Sequence, residues 1–190
     1  MSIYEVRYAT KEDATQAQPL IKEAIISELG VLHNFEEIWQ HFRDHPNEYA
    51  VCEYGGTLVA IRQFYKADIF KYIDPKGKKK ETRNVWCSGL VYVKPEHSRN
   101  RLRFLLNYLL LKDIIVSKNP SPFIYAVPGI EWGEKNLIAH KFKKIGLENM
   151  PQIRPPNRTE PFPVYRGNAS LYFRLTQEDM KQVKVPYEFL

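Results

Sequence analysis

Cysteine is scarce in this sequence, Cys52 and Cys87 being its only two. Each sits inside a strand-like apolar run, which excludes a disulfide framework and points to buried, reduced thiols. The opening residues MSIYEVRYATKEDA contain no apolar signal core, so no secretory leader is expected. Long hydrophobic runs are missing too. The longest, Leu105 to Leu111, is broken by Asn107 and falls far short of the ~20 residues that span a bilayer. There is no internal repeat. His41 and His45 stand at metal-pair spacing beside Asp44, but no Glu follows His41 and no third ligand is in view, so no metal is assigned. A soluble, cytoplasmic protein without membrane partners is the expectation.

What remains is an ordinary globular composition: 190 residues, 44% hydrophobic, 13% aromatic and 26% charged. That excludes disorder and suits a single domain over 1–190, large enough to bury a core without disulfides or metals. The net charge of +6 gathers at 76–83 (KGKKKETR), 99–103, 141–144 and 154–158. Basic clusters of this kind favour phosphates, nucleic acid or an acidic protein surface.

The alternating stretch from Ile3 reads as a first strand. Thr10 and Asp13 resemble a capping box for a helix reaching about Leu29, which Pro19 is expected to kink or split. Asn34 caps a second helix, from Phe35 to about Asp44, with Phe35, Ile38, Trp39 and Phe42 on one face. Strands 48–54 and 57–65 meet at Gly55-Gly56, a strong hairpin signal, and the second continues towards Ile73. A basic loop at 75–84 leads to a strand at 85–93. A helix opening at Ser98 or Asn100 reaches about Val116, and 123–127 reads as a buried strand. Another helix runs from Trp132 or Gly133 to about Ile145, stopped by Gly146. Residues 149–167 hold five of the thirteen prolines and read as an irregular excursion. A final strand at 169–175 precedes a tail, 176–190, with one helical turn. The order β-αα-β-β-β-α-β-α-β implies an α/β fold with a mixed sheet of about seven strands and helices on both faces.

This order is similar to that of the GNAT (N-acetyltransferase) superfamily, and three segments carry the likeness. Val6-Arg-Tyr-Ala-Thr-Lys-Glu-Asp-Ala resembles the opening strand and capped helix. Gly89-Leu-Val-Tyr-Val-Lys-Pro-Glu-His-Ser-Arg-Asn-Arg-Leu-Arg-Phe-Leu-Leu resembles the strand, turn and helix that bind the CoA pyrophosphate. Asn136-Leu-Ile-Ala-His-Lys-Phe-Lys-Lys-Ile-Gly-Leu resembles the late helix ending in Tyr-x-x-x-Gly-Phe. Together they span residues 6–147. The resemblance implies a GNAT-like domain that uses acetyl-CoA or another acyl-CoA. Its reaction would be direct transfer of an acetyl group to an amine on a small molecule or a protein. The cofactor-binding residues implied are Val91, Tyr92 and Val93 on the strand, then Arg99, Asn100, Arg101, Leu102, Arg103 and Phe104 at the turn and helix start. Asn136 and Phe142 on the late helix complete the set.

A helix N-terminus suits a pyrophosphate because its N–H groups are unpaired and its dipole is positive there. The family keeps glycines in that turn, whereas Ser98-Arg-Asn-Arg-Leu-Arg has none. Two outcomes are open: the arginines add charge-assisted phosphate contacts, or their bulk closes the pocket. Phe142 stands where the family often has a tyrosine acid, so no hydroxyl is available there.

Acyl transfer from a thioester also needs a base and a polarised carbonyl. The strand at 85–93 contains no Asp or Glu. Tyr125 and Glu131, with Glu134 close by, are the remaining catalytic candidates, and a positioned water is an alternative. If the resemblance holds, His33 and Trp39 border the acceptor pocket. Phe64, Tyr65, Phe70 and Tyr72 beside the basic loop suit nucleic-acid phosphates and bases, so a nucleic-acid-modifying enzyme on this scaffold is carried as an alternative. The glycine-free turn and Phe142 keep a catalytically lapsed binding or structural module as another. Acceptor identity and oligomeric state have no readable signature.

Overall fold

In the computed structural model, which describes residues 3–116 and 122–190, the first alternating stretch is β1, Tyr4–Tyr8. The Asp13 carboxylate accepts from the Thr10 N–H at 2.8 Å and from the Arg7 guanidinium at 2.7 Å, the reach-back half of a capping box. α1, Ala14–Leu29, follows as one helix and runs through Pro19 without dividing. Thr15 and Pro19 are both exposed, so the carbonyl that loses its N–H partner stands on the hydrated side. α2, Phe35–Asp44, is not capped by Asn34. That residue is itself left-handed, φ 52°, and its amide donates to the Gln152 carbonyl at 2.8 Å.

β2, Tyr49–Tyr54, and β3, Thr57–Ile73, join across Gly55-Gly56, whose φ values of 59° and 80° match the twist of a tight hairpin. β4, Lys79–Val93, begins well before the expected strand, because the turn is shorter than the basic segment. Asp74 Oδ1 accepts from the N–H groups of Lys76 and Lys78 at 2.9 Å each, which closes the chain tightly enough to pair Ile73 with Lys79. β3 and β4 thus pair along most of their length.

α3, Leu102–Val116, β5, Phe123–Ala126, and α4, Glu131–Ala139, come next. The late helix is shorter than expected. The chain turns at Lys141, φ 63°, and 143–148 becomes β6, Lys143–Glu148, so Gly146 lies in a strand and stops no helix. The proline-rich excursion contains β7, Pro163–Asn168. The expected last strand is instead α5, Ala169–Met180: the Asn168 side chain accepts from the Leu171 N–H at 2.8 Å, and Ala169, Tyr172 and Thr176 are buried at helical spacing. β8, Tyr187–Phe189, runs parallel to β1 at the far edge.

Among the described residues eight strands form one mixed sheet in the order β4-β5-β7-β6-β3-β2-β1-β8, with β4 also paired to β3. That last pairing closes a ring, β3-β4-β5-β7-β6, within the larger sheet. Every strand of the ring contributes to one cluster: Phe70, Val85, Cys87, Tyr125 and Val164, with Ile145 against them. Helices cover both sheet faces. α1 and α2 pack on Val51, Leu58 and Ile61, while α3 and α5 pack on Val6, Cys52 and Phe64. Among the described residues no helix is long and apolar enough to cross a membrane.

Candidate active site

β5 lies beside β4 only where Trp86, Cys87 and Ser88 face Ile124, Tyr125 and Ala126. Beyond Ser88 the outer edge of β4 has no strand partner among the described residues, so its backbone polar groups are available to side chains and ligands. A cleft of about 460 Å³ occupies the gap, walled by Val91, Tyr92 and Val93, by Leu102 and Arg103 of α3, and by Asn136 of α4. Tyr172 of α5 closes it from below.

The arginines of the turn leave this cleft open. After a 3-10 turn, Pro95–Asn100, Arg101 takes the left-handed conformation at φ 58°, and α3 starts only at Leu102. The Arg103 guanidinium lies over the Trp132 ring at 4.7 Å and becomes part of the cleft wall. Arg99 and Arg101 are exposed and, with Lys181 and Lys184, line a groove of about 450 Å³. Arg101 borders both spaces, so the groove continues the cleft. The cleft thus opens onto a groove lined by four cations, Arg99, Arg101, Lys181 and Lys184, which suits a ligand that carries phosphates.

Several expected positions lie elsewhere. Asn100 donates to the Tyr4 hydroxyl at 2.6 Å and borders the cationic groove only. Phe104, in the first turn of α3, is buried with the Arg103 guanidinium over its ring at 4.8 Å. Phe142 is off the helix and buried, edge-on to Tyr172 at a centroid distance of 5.1 Å. A Cβ on Gly167 would come within 2.5 Å of its ring, so glycine there makes the room that Phe142 fills. Neither phenylalanine lines the cleft. Glu131 is exposed and pairs with Lys135 at 2.8 Å, and Glu134 accepts from the Tyr165 hydroxyl. Trp39 is stacked between Phe35 and Phe42, with centroids 6.3 and 5.5 Å away, and lines neither space.

A second cavity of about 350 Å³ runs from α1 and α2 into the strand ring. His33 and Tyr125 line it, His33 with its Nε2 donating to the Gln152 carbonyl at 3.2 Å and Tyr125 packed on Phe70 at 5.2 Å. The two cavities share Glu28, Ser88, Gly89, Ala126, Val127 and Gly129 as a common wall. Glu28 projects from the last turn of α1 to the β4 edge. Burial pushes its carboxyl up to about 7, against the opposing pull of the Arg62 charge and a hydrogen bond from the Val91 backbone.

Arg62 is the buried hub below this junction. Nη1 donates to the Gly89 carbonyl at 2.6 Å, Nη2 to Ser88 Oγ at 2.6 Å and Nε to Asn107 Oδ1 at 2.9 Å. Asn107 in turn donates to the Tyr172 hydroxyl at 3.0 Å. Burial raises the Tyr172 phenol, while the charges of Arg62 and Arg103 pull it down. Glu28, Arg62 and Tyr172 were not singled out from the sequence; the only signals were a carboxylate at a helix end, an arginine within an apolar strand and a tyrosine at helical spacing.

No family model and no curated protein matches the sequence. Solved structures do. The loading GNATL domain of CurA from Lyngbya majuscula superposes with a TM-score of 0.62 at 15% identity, covering 88% of this chain and 98% of that one. YncA, a putative acetyltransferase from Salmonella typhimurium solved with its cofactor acetyl-CoA, gives 0.60 at 14%, covering 87% and 94%. Diaminobutyrate acetyltransferase EctA from Paenibacillus lautus, solved with L-2,4-diaminobutyric acid and coenzyme A, gives 0.54 at 14%, covering 89% and 95%. The fold is that of the GNAT acetyltransferases.

Proposed function

We propose that the protein is an acyl-CoA-dependent N-acyltransferase that moves an acetyl group directly onto an amine held in the second cavity. The observation that carries this reading is the meeting of the two cavities at Glu28, Ser88 and Gly89. One cavity leads to four cations and the other presents a carboxylate, so donor and acceptor have separate approaches to one point. The Salmonella and Paenibacillus neighbours, solved with acetyl-CoA and with CoA, support the choice of donor.

When bound, acyl-CoA supplies a thioester carbonyl whose carbon joins the acceptor nitrogen while its sulfur departs as the thiol. An ammonium group must shed two protons to become an amide. Glu28, ionised above about pH 7, accepts the first. Tyr172 lines the cleft, and its hydroxyl, which accepts from Asn107, serves in this reading as the proton source for the sulfur, the second amine proton restoring it. Backbone N–H groups on the free edge of β4 polarise a carbonyl placed beside them. Arg62 holds that edge in place through Ser88 and Gly89.

Isothermal titration of the full chain with acetyl-CoA, followed by thiol release on adding primary amines, tests the reading. Binding with amine-dependent thiol release is expected; no heat and no turnover at millimolar acetyl-CoA would overturn it.

A further inference from the structure

The chain carries a net charge of +6, yet the lining of the second cavity contains no lysine or arginine among the described residues. Its acidic side chains are Glu28, at the junction with the cleft and ionised above about pH 7, and Glu37, exposed on α2; His33 and His41 also line it. Deeper in, the walls are Tyr65, Phe70, Cys87, Tyr125 and Phe162. Phe70, Cys87 and Tyr125 belong to the cluster that fills the five-strand ring. The cavity is therefore anionic where it meets the cleft, apolar at depth and enclosed by paired backbone around its inner end. An extended polymer has no way through.

Resting on the acyltransferase reading, we infer that the acceptor is a small primary amine with an aromatic or bulky apolar tail and no carboxylate, 2-phenylethylamine being a simple example. Its ammonium group stands at Glu28 and its tail fills the space between Tyr65, Phe70 and Tyr125. About 350 Å³ lies at the lower end of the roughly 300–1,000 Å³ range of ligand pockets, which suits one ring and a short linker. An α-amino acid with the same side chain would bring a carboxylate beside Glu28. The Arg62 guanidinium beneath is buried and already donates to Ser88, Gly89 and Asn107, so the added charge would lack a partner of its own at a cost. A polyamine would leave the aromatic walls without an apolar partner.

The test measures thiol release by the full chain at fixed acetyl-CoA with 2-phenylethylamine, phenylalanine, spermidine and a lysine-containing peptide. The expected kcat/KM for 2-phenylethylamine exceeds each of the others by about 100-fold, the discrimination that one uncompensated polar group produces. Glu37→Lys, on the exposed rim, should narrow the gap to phenylalanine about tenfold by supplying the missing cation. Turnover that prefers phenylalanine, spermidine or the peptide overturns the acceptor assignment and leaves the transferase reading standing. Calorimetric binding of 2-phenylethylamine without CoA separates the remaining cases. Binding that Glu37→Lys weakens, with no turnover, upholds the pocket assignment and removes the transferase reading; absence of amine binding overturns the inference.

Discussion

Arg62 Nη1 donates to the carbonyl oxygen of Gly89 at 2.6 Å, tying the middle of β3 to the point where β4 parts from β5. The same guanidinium serves Ser88 and Asn107, so one buried cation organises both the strand edge and the hydroxyl of Tyr172. Arg62→Met leaves these acceptors without a donor and should cost about 3–5 kcal/mol, seen as a lower denaturation midpoint with an unchanged slope. Arg62→Lys keeps the charge and loses the fork, and should recover only part of that. Where either variant folds, the inflection of the pH–rate profile should rise for Met and not for Lys, because only Met removes the charge that opposes the raised Glu28 carboxyl.

Glu28→Gln should lower kcat by about 100-fold or more, the range for removal of a general base. The wild-type rate should rise with pH through about 7 and then level off. Stability runs the other way. Below the ordinary value of 4.5 the carboxyl is neutral folded and unfolded, and contributes nothing. Between there and about 7 only the unfolded chain releases the proton, so stability falls as pH rises. Thermal melts should show Glu28→Gln more stable than wild type at pH 8, on the order of 1–2 kcal/mol once partial solvent exposure is allowed for, and equal to it at pH 4.

Tyr172→Phe should reduce kcat about 100-fold with little change in the KM for acetyl-CoA, because the hydroxyl is called on only when the sulfur departs. It also strips Asn107 of an acceptor, at about 1–3 kcal/mol in a denaturation experiment. Activity with a thioester whose thiol is more acidic should be less impaired.

Lys181→Ala with Lys184→Ala should raise the KM for acetyl-CoA about tenfold and leave kcat nearly unchanged, exposed charge-assisted contacts being worth little singly and more together. The wild-type KM should rise with salt more steeply than that of the double variant.

Much of the scaffold is visible in the residues. Gly55-Gly56 between alternating runs dictates the β2–β3 hairpin, and the proline before α3 marks the end of β4. The failures have physical causes. Residues 169–175 alternate well enough to look like a strand, but the Asn168 cap and burial of Ala169, Tyr172 and Thr176 decide for a helix. That misreading hid Tyr172. The late helix is cut by left-handed Lys141, a conformation nothing in its side chain demands, which moved Phe142 from a helix face into the core. Glu28 ends an amphipathic helix in an unremarkable way. Its chemistry comes from where α1 crosses β4, a relation between residues far apart in sequence.

The ring that encloses the second cavity is closed by a short seam, Tyr72 with Glu148 and Ile73 with Leu147. Gly146 makes that approach feasible, since a Cβ there would sit 2.0 Å from the Ile73 carbonyl oxygen. Few contacts joining segments so distant in sequence give little return until the rest of the chain is in place, so the seam should form late in folding. In a pulse-labelled refolding experiment, the Asn149 amide, bonded across it to Lys71 at 3.2 Å, should gain protection after the β2–β3 hairpin does. On that order the central sheet should stand before the second cavity is enclosed, so the cavity would be the last part of the molecule to take shape.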